Sequence, residues 1–486
     1  MKTSGNTLRP ALAAGILSMS LLLAACGDSD SNNDSDLRVI HTSKDAPPVN
    51  VRVDNRQVIS DLDYAASSGY VEVRSGTNSV AVEAIIPGGN ADVINVPALE
   101  FENNQRYNVL AINDTATIDA LVVEESAAAP SATEVAIAVV HASTNAGAVD
   151  VYVTAPGALL NGSNPTFTFD YTEVVDAGAL PAGLYQIRVA LQGELDPYAN
   201  AVYDSGTVDL SGFAGEKLLV AAISSVTDTE LATSPIKLLA ATDTASLILL
   251  DEATLIGARV THLSPDAGPV DVFANGAKLI SNLEYTETFP SETLAAVADP
   301  GYSDYANVPA GNYAFDVVAP ASPTSTVGDS VYNAQLPLAS GVDYSVIALG
   351  NVADGLDGPG NGTAFGLLPM IDENRAVVTQ ASVKILHAAP AAGDVDVYVT
   401  VAGDFSAADV IAGLAGDPLL DEFPFGDLTP YVTLAPGDYD IRVIAGGAAA
   451  INVEGLTLGP GLVATVIARQ DEAPGPTPFG AVLLTN

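Results

Sequence analysis

Four side chains able to do acid–base chemistry recur at one place in a repeated stretch. They are His41, His141, His262 and His387, the only histidines in the chain, 100, 121 and 125 residues apart. Nine positions after each stands Asn50, Asp150, Asp271 or Asp396. An imidazole oriented by an acid is the working part of a general base. Three features argue against that use. Leu37 and Val39 precede His41, and Ile137 and Val139 precede His141. This period-two alternation puts the imidazole on the apolar face of a strand. In Val149-Asp150-Val151-Tyr152-Val153 the acid takes the polar face instead. No nucleophile recurs either: Ser143 and Ser264 correspond to Thr42–Ser43 in the first copy and Ala389 in the fourth. The expectation is therefore a buried histidine bonding its own turn backbone, with no catalytic residue and no enzyme activity.

Metal chemistry has little to build on. Histidines in separate repeats cannot share a zinc ion, and one histidine without cysteine partners is not a zinc site. Asp354, Asp357 and Asn361, in a Gly-rich loop, offer oxygen ligands to calcium, without the spacing of an EF-hand. No cofactor is expected, with calcium as the alternative. Tyr185, Tyr313 and Tyr439 each follow a Pro-led turn, where a tyrosine can tie a strand corner by bonding upstream backbone. The first repeat has Asn78 in that place. Tyr64 and Tyr285 read as residues at the edge of the core.

The elements that hold these residues are short strands. Each repeat opens with the histidine strand, in which Arg38, Arg259 and Lys384 occupy the opposite, polar face in three copies. A turn rich in Ser, Pro, Asp and Gly follows, clearest at Ser264-Pro265-Asp266, and then the alternating second strand. Three further strands recur, with insertions at 155–165, 295–307 and 405–421, the last containing a candidate helix at 406–414. The fold class expected is all-β: four tandem immunoglobulin-like antiparallel β-sandwich domains in a row. Their boundaries fall at 37–128, 135–250, 257–373 and 382–486.

The start of the chain reads as an address. Lys2 and Arg9 precede an apolar run ending Leu23-Ala24-Ala25-Cys26. The run is shorter than the roughly 20 residues of a spanning helix and has the form of a cleaved signal. Leu-Ala-Ala-Cys resembles the lipobox of bacterial lipoproteins. That resemblance implies a signal peptide at 1–25, a lipidated Cys26 and a flexible acidic tether at 26–36. Cys26 is the only cysteine, so no disulfide is available. Gly27 rather than Asp after it resembles the outer-membrane sorting pattern. With 17 basic and 59 acidic residues the formal net charge is −42, and loss of the leader removes two of the basic groups. Such a field repels nucleic acid and anionic headgroups.

The pattern His-x-Ser-Pro-x-Ala-x-x-Val-Asp-Val-Tyr followed by Pro-Ala-Gly-x-Tyr resembles a bacterial domain family of unknown function numbered four-three-nine-seven. The third copy carries it most fully (His262, Ser264 to Ala267, Val270 to Phe273, Pro309 to Tyr313) and the first least. The resemblance implies immunoglobulin-like domains on cell-envelope proteins and brings no catalytic residue. The function expected is a non-catalytic, lipid-anchored envelope protein whose tandem domains project a surface for adhesion or for a protein or glycan partner. The alternatives are a glycan hydrolase with its site in the insertions (404–421 or 299–305) and a calcium-stiffened spacer.

Overall fold

The computed structural model describes residues 34–126, 128–160, 164–194, 196–197, 199–290, 301–302, 305–358, 362–471 and 478–485. The leader, Cys26, most of the tether, Asp299 and Asn361 lie outside the described residues. The chain is all-β, and each repeat is a two-sheet sandwich. The first sheet of each unit is built on the opening histidine strand: Asp34–His41, Glu134–His141, Ile256–Leu263 and Ala381–Ala388. The second is built on the strand after the turn: Val49–Val53, Val149–Thr154, Val270–Ala274 and Val395–Val401. That strand pairs with a corner strand: Gly76–Ala84, Leu184–Leu191, Gly311–Val318 and Gly437–Ala445. The candidate helix is present as Ala407–Ile411, capped by Ser406, with Asp409 completing a capping box.

Two boundary features differ from the sequence reading. The opening strand of unit 1 starts at Asp34, inside the expected tether, and pairs Asp34–Leu37 with Val71–Arg74. Polar composition hid this: Ser35 is buried and its hydroxyl donates to the Glu102 carbonyl at 2.6 Å. The segment between units 3 and 4, residues 374–381, is held against unit 1. Arg375 donates to the Ala46 carbonyl at 2.7 Å and to Asp63, and the Val378 N–H donates to the Asp45 carbonyl at 3.1 Å.

Within each sandwich one pairing is parallel. The opening strand runs alongside a late strand of its own unit (Gln105–Ile112, Lys217–Ser224, Asp343–Leu349, Val463–Gln470). The register is the same in all four units: His41, His141, His262 and His387 pair with Ala111, Ala222, Ala348 and Ala468. A parallel pair needs a long crossover, and here the whole second sheet is that crossover.

Each unit has its own core, such as Leu37, Val49, Val51 and Tyr107 in unit 1. Two further cores join units. Ile40 and Leu110 of unit 1 pack with Val140, Leu219 and Leu239 of unit 2. Leu263 and Ile347 of unit 3 pack with Leu386, Ile467 and Val482 of unit 4. Units 1 and 2, and likewise units 3 and 4, are thus pressed back to back through their histidine sheets. The opening strands show it, reading nearly unbroken buried from Leu37 to His41 and from Ala258 to Leu263 apart from Ala258. This is the burial expected of sheets covered on two sides.

Candidate functional site

The histidine corner is built the same way four times. Each Nε2 lies 2.8–3.0 Å from the carbonyl six residues on: Pro47, Gly147, Gly268 and Gly393. A nitrogen facing a carbonyl must carry the proton. In units 2, 3 and 4 the Nδ1 accepts the N–H two residues on, from Ser143, Ser264 and Ala389, at 3.3–3.4 Å. Together these bonds specify the neutral ring with its proton on Nε2. In unit 1 Nδ1 has no protein partner. Burial pushes His41 down to about 4, and pushes His262 and His387 down as well. All four rings are buried.

An aromatic ring meets each imidazole edge-on, at centroid distances of 5.9–6.3 Å: Tyr64, Tyr171, Tyr285 and Phe425. The residue after each aromatic (Ala65, Thr172, Thr286, Gly426) has positive φ and donates its N–H to the histidine carbonyl at 2.8–2.9 Å. Tyr64 and Tyr285 were visible in the sequence, and Tyr171 and Phe425 were not. The recurring signal is an acid or Pro, then an aromatic ring, at a distance from the histidine that varies with the insertions. Three hydroxyls reach across to the neighbouring unit: Tyr64 to the Ser224 carbonyl, Tyr171 to the Asn113 side chain and Tyr285 to the Gln470 carbonyl.

The acids nine residues on do not meet the histidines. They cap backbone in the second sheet. Asn50, Asp271 and Asp396 accept the N–H of Asp61, Asn282 and Glu422 at 2.9–3.1 Å. Those three acceptor-bound residues have positive φ, at 53°, 56° and 46°, a conformation that needs local bonding to hold. Asp150 instead takes the Thr168 hydroxyl at 2.6 Å and the Gly193 N–H at 3.0 Å. Burial raises Asp271, but Lys278, Ser325 and two backbone N–H groups outweigh it and hold the carboxyl at about 2. In units 1, 3 and 4 a single side-chain oxygen does the capping, which is why asparagine serves in unit 1.

The tyrosines tie corners. Tyr185, Tyr313 and Tyr439 donate to the carbonyls of Pro181, Pro309 and Ala435, four residues upstream, at 2.7–2.8 Å. Asn78 does the same with its amide, to Arg74 at 2.9 Å. In the calcium-candidate loop, Asp354 accepts from Asn351 and Thr363 at 2.7 Å each, and these bonds hold its carboxyl below the usual range. Asp357 is exposed. Among the described residues no group of three or more His, Cys, Asp or Glu is placed to hold a metal ion. Asp404, Asp417 and Asp421 of the unit 4 insertion are exposed.

The cations on the polar face of the opening strands are buried between units. Arg38 donates to the Thr242 carbonyl of unit 2 at 2.6 Å and lies 4.5 Å from the Tyr70 ring centre. Arg259 donates to the Thr485 carbonyl of unit 4 at 2.9 Å, pairs with Asp372 at 3.2 Å and lies over Tyr305. Lys384 of unit 4 returns the contact, to the Ile371 carbonyl of unit 3 at 2.5 Å, over Tyr431. Arg259 and Asp372 have side chains at 0% exposure.

No curated protein matches the chain. Among solved structures, a streptococcal virulence factor described by its α-glucan binding shares 12% identity over 38% of this chain and 93% of its own, with a TM-score of 0.16. A protein of Bacteroides fragilis described as a cell-adhesion protein shares 11% over 47% of this chain and 97% of its own, with a TM-score of 0.12. A multi-modular glycogen-degrading pneumococcal virulence factor shares 9% over 65% of this chain and 37% of its own, with a TM-score of 0.12. The family described as a domain of unknown function, DUF4397, matches residues 35–152 and 256–398. Each match starts with an odd-numbered unit and ends on the second strand of its partner, so all four histidines and the turn carbonyls they bond lie inside them, while Tyr171 and Phe425 lie beyond. These segments make up more than half of the chain, and the protein belongs to the DUF4397 family.

Proposed function

We propose that the protein is a non-catalytic component of the bacterial cell envelope, lipid-anchored through Cys26, that presents the outer faces of paired sandwiches to a protein or glycan partner. One observation carries this reading. The only recurring acid–base groups are spent on the fold: each imidazole is buried and bonded to its own turn, and each acid to its own sheet. Repetition then serves scaffolding and extent of surface. The Leu-Ala-Ala-Cys stretch supports the anchor, and Gly27 supports the outer membrane. The negative field favours partners without phosphate backbones.

Two experiments test it. Cells fed a clickable palmitate analogue should label the chain, and Cys26→Ser should abolish labelling; equal labelling of both removes the anchor. The purified chain lacking its leader should bind isolated envelope polysaccharide or protein fractions saturably and release no product. Release of reducing sugar that is lost in Asp417→Ala with Asp421→Ala would replace this reading with glycan hydrolysis.

A further inference from the structure

We infer that one end of unit 1 is a binding site for a single small, uncharged aromatic molecule, about the size of toluene. The pocket there has a volume of about 170 Å³, against about 80 and 20 Å³ inside units 2 and 4. An apolar cavity of about 150 Å³ takes one benzene, so the space in unit 1 is large enough for a ring and the other two are not. It lies at the end of the sandwich that carries the histidine turn. Ala46 and Val49 line it from that turn and the second strand, and Ala84 from the end of the corner strand. Val93 lines it from the neighbouring strand Ala91–Phe101, Ile118 from the loop before the last strand, and Thr379 from the segment between units 3 and 4. The surface facing the space is apolar. A guest receives no hydrogen bond here, so it must need none.

Unit 3 shows which shape fits. Ala111 and Ala348 pair with His41 and His262, and the residues after them, Ile112 and Leu349, pair with Asp119 and Gly366. Ile118, one residue before Asp119, therefore corresponds to Phe365, one residue before Gly366. Val82 and Val317 likewise occupy the seventh place of their corner strands, and pair with Ile94 and Tyr332. Unit 3 thus carries two rings where unit 1 has two isoleucines. Phe365 is at 0% exposure and meets Tyr332 edge-on, with ring centres 5.7 Å apart. Ile118 is half-buried and borders the open space. Val352 packs on the core of unit 3, while its counterpart Thr115 lies in the wall of the pocket and gives its hydroxyl to Asp45 at 2.9 Å. Unit 3 fills with its own side chain the place that unit 1 leaves for a free ring. A phenylalanine from a partner chain would bring peptide groups to a wall that cannot bond them. Charge sets a further limit. Asp45 and Asp92 adjoin wall residues in the chain, and the formal net charge is −42, so a ring bearing a carboxylate is disfavoured.

This inference does not rest on the envelope role. Its test is a titration of the full chain lacking its leader with fluorobenzene, read by ¹⁹F NMR. One saturable site per chain is expected, displaced by toluene and at least tenfold less well by benzoate. Ile118→Phe gives unit 1 the ring of unit 3, so it should weaken fluorobenzene at least tenfold and raise the unfolding midpoint. If that variant misfolds, Ala91→Leu at the exposed rim of the pocket should weaken the probe at least threefold. Val139→Ile, in the wall of the smaller cavity of unit 2, should leave probe affinity unchanged. No saturable signal, full affinity in a folded filled variant, loss of affinity in Val139→Ile, displacement by benzoate as good as by toluene, or tighter binding of N-acetylphenylalaninamide than of toluene would overturn it.

Discussion

His262 and Arg259 stand three residues apart on one strand and point to opposite faces, and both are buried. The imidazole is spent inside its own unit, bonded to its own turn. The guanidinium is spent between units, where Asp372 and the Thr485 carbonyl meet it. The first contact repeats four times; the second varies, with Arg38, Arg259 and Lys384 in three units and Ala138 in the other. A contact that every unit can make alone is copied with the unit. A contact that needs a particular neighbour follows the pair.

The most disruptive way to probe this contrast is Arg259→Ala. It takes the guanidinium from the buried Asp372, which keeps Lys384 at 3.9 Å and the Tyr305 and Ser345 hydroxyls, so the loss should be about 3 kcal/mol, seen as a lower urea midpoint for units 3 and 4. The double change Arg259→Met with Asp372→Leu should recover most of it. A loss under 1 kcal/mol for the single change would mean that the units do not press together as described.

Acid attacks the other side of the comparison. His41 is held neutral, its value falling from 6.5 to about 4 on burial. The unfolded chain takes up the proton first as pH drops below 6.5. The contribution is therefore intact above that pH and is lost between 6.5 and about 4, worth roughly 3 kcal/mol. Denaturation at pH 7.5 and 4.5 should show it, and His41→Gln should flatten the dependence. An unchanged slope in that variant would place the acid sensitivity elsewhere.

Smaller changes sharpen the boundary between the two regions. Tyr64→Phe removes a hydroxyl that reaches from a histidine corner to the Ser224 carbonyl of the next unit. It should cost about 1 kcal/mol in the chain with units 1 and 2 joined. Tyr313→Phe cuts a tie that stays within unit 3 and sits at an exposed corner, so about 0.5–1 kcal/mol is expected. Equal effects of Tyr64→Phe in the joined pair and in unit 1 alone would contradict the inter-unit bond.

Much of the unit was legible in the sequence because alternation and turn chemistry act locally. The opening and second strands, the corner tyrosines and the capped helix after Ser406 all follow from neighbours in the chain. The pairing of units was not legible. Alternation says that Arg38 opposes Leu37 and Val39, but it does not say whether Arg38 meets water or Thr242. The parallel register of Leu37 with Tyr107 joins residues too far apart for any local pattern. Asn78 shows the same limit in reverse: it lacks a ring, yet performs the bond of Tyr185, Tyr313 and Tyr439.

The account turns on the state of four imidazoles, and a chain with only four histidines makes them readable. Long-range ¹⁵N–¹H correlation spectra of histidine-labelled protein, recorded from pH 8 to 5, report the tautomer and charge of each ring. The account predicts the Nε2-protonated tautomer in all four rings at pH 8, with His41 still neutral at pH 5. Rings protonated at Nδ1, or a free titration of His41 near 6.5, would contradict it.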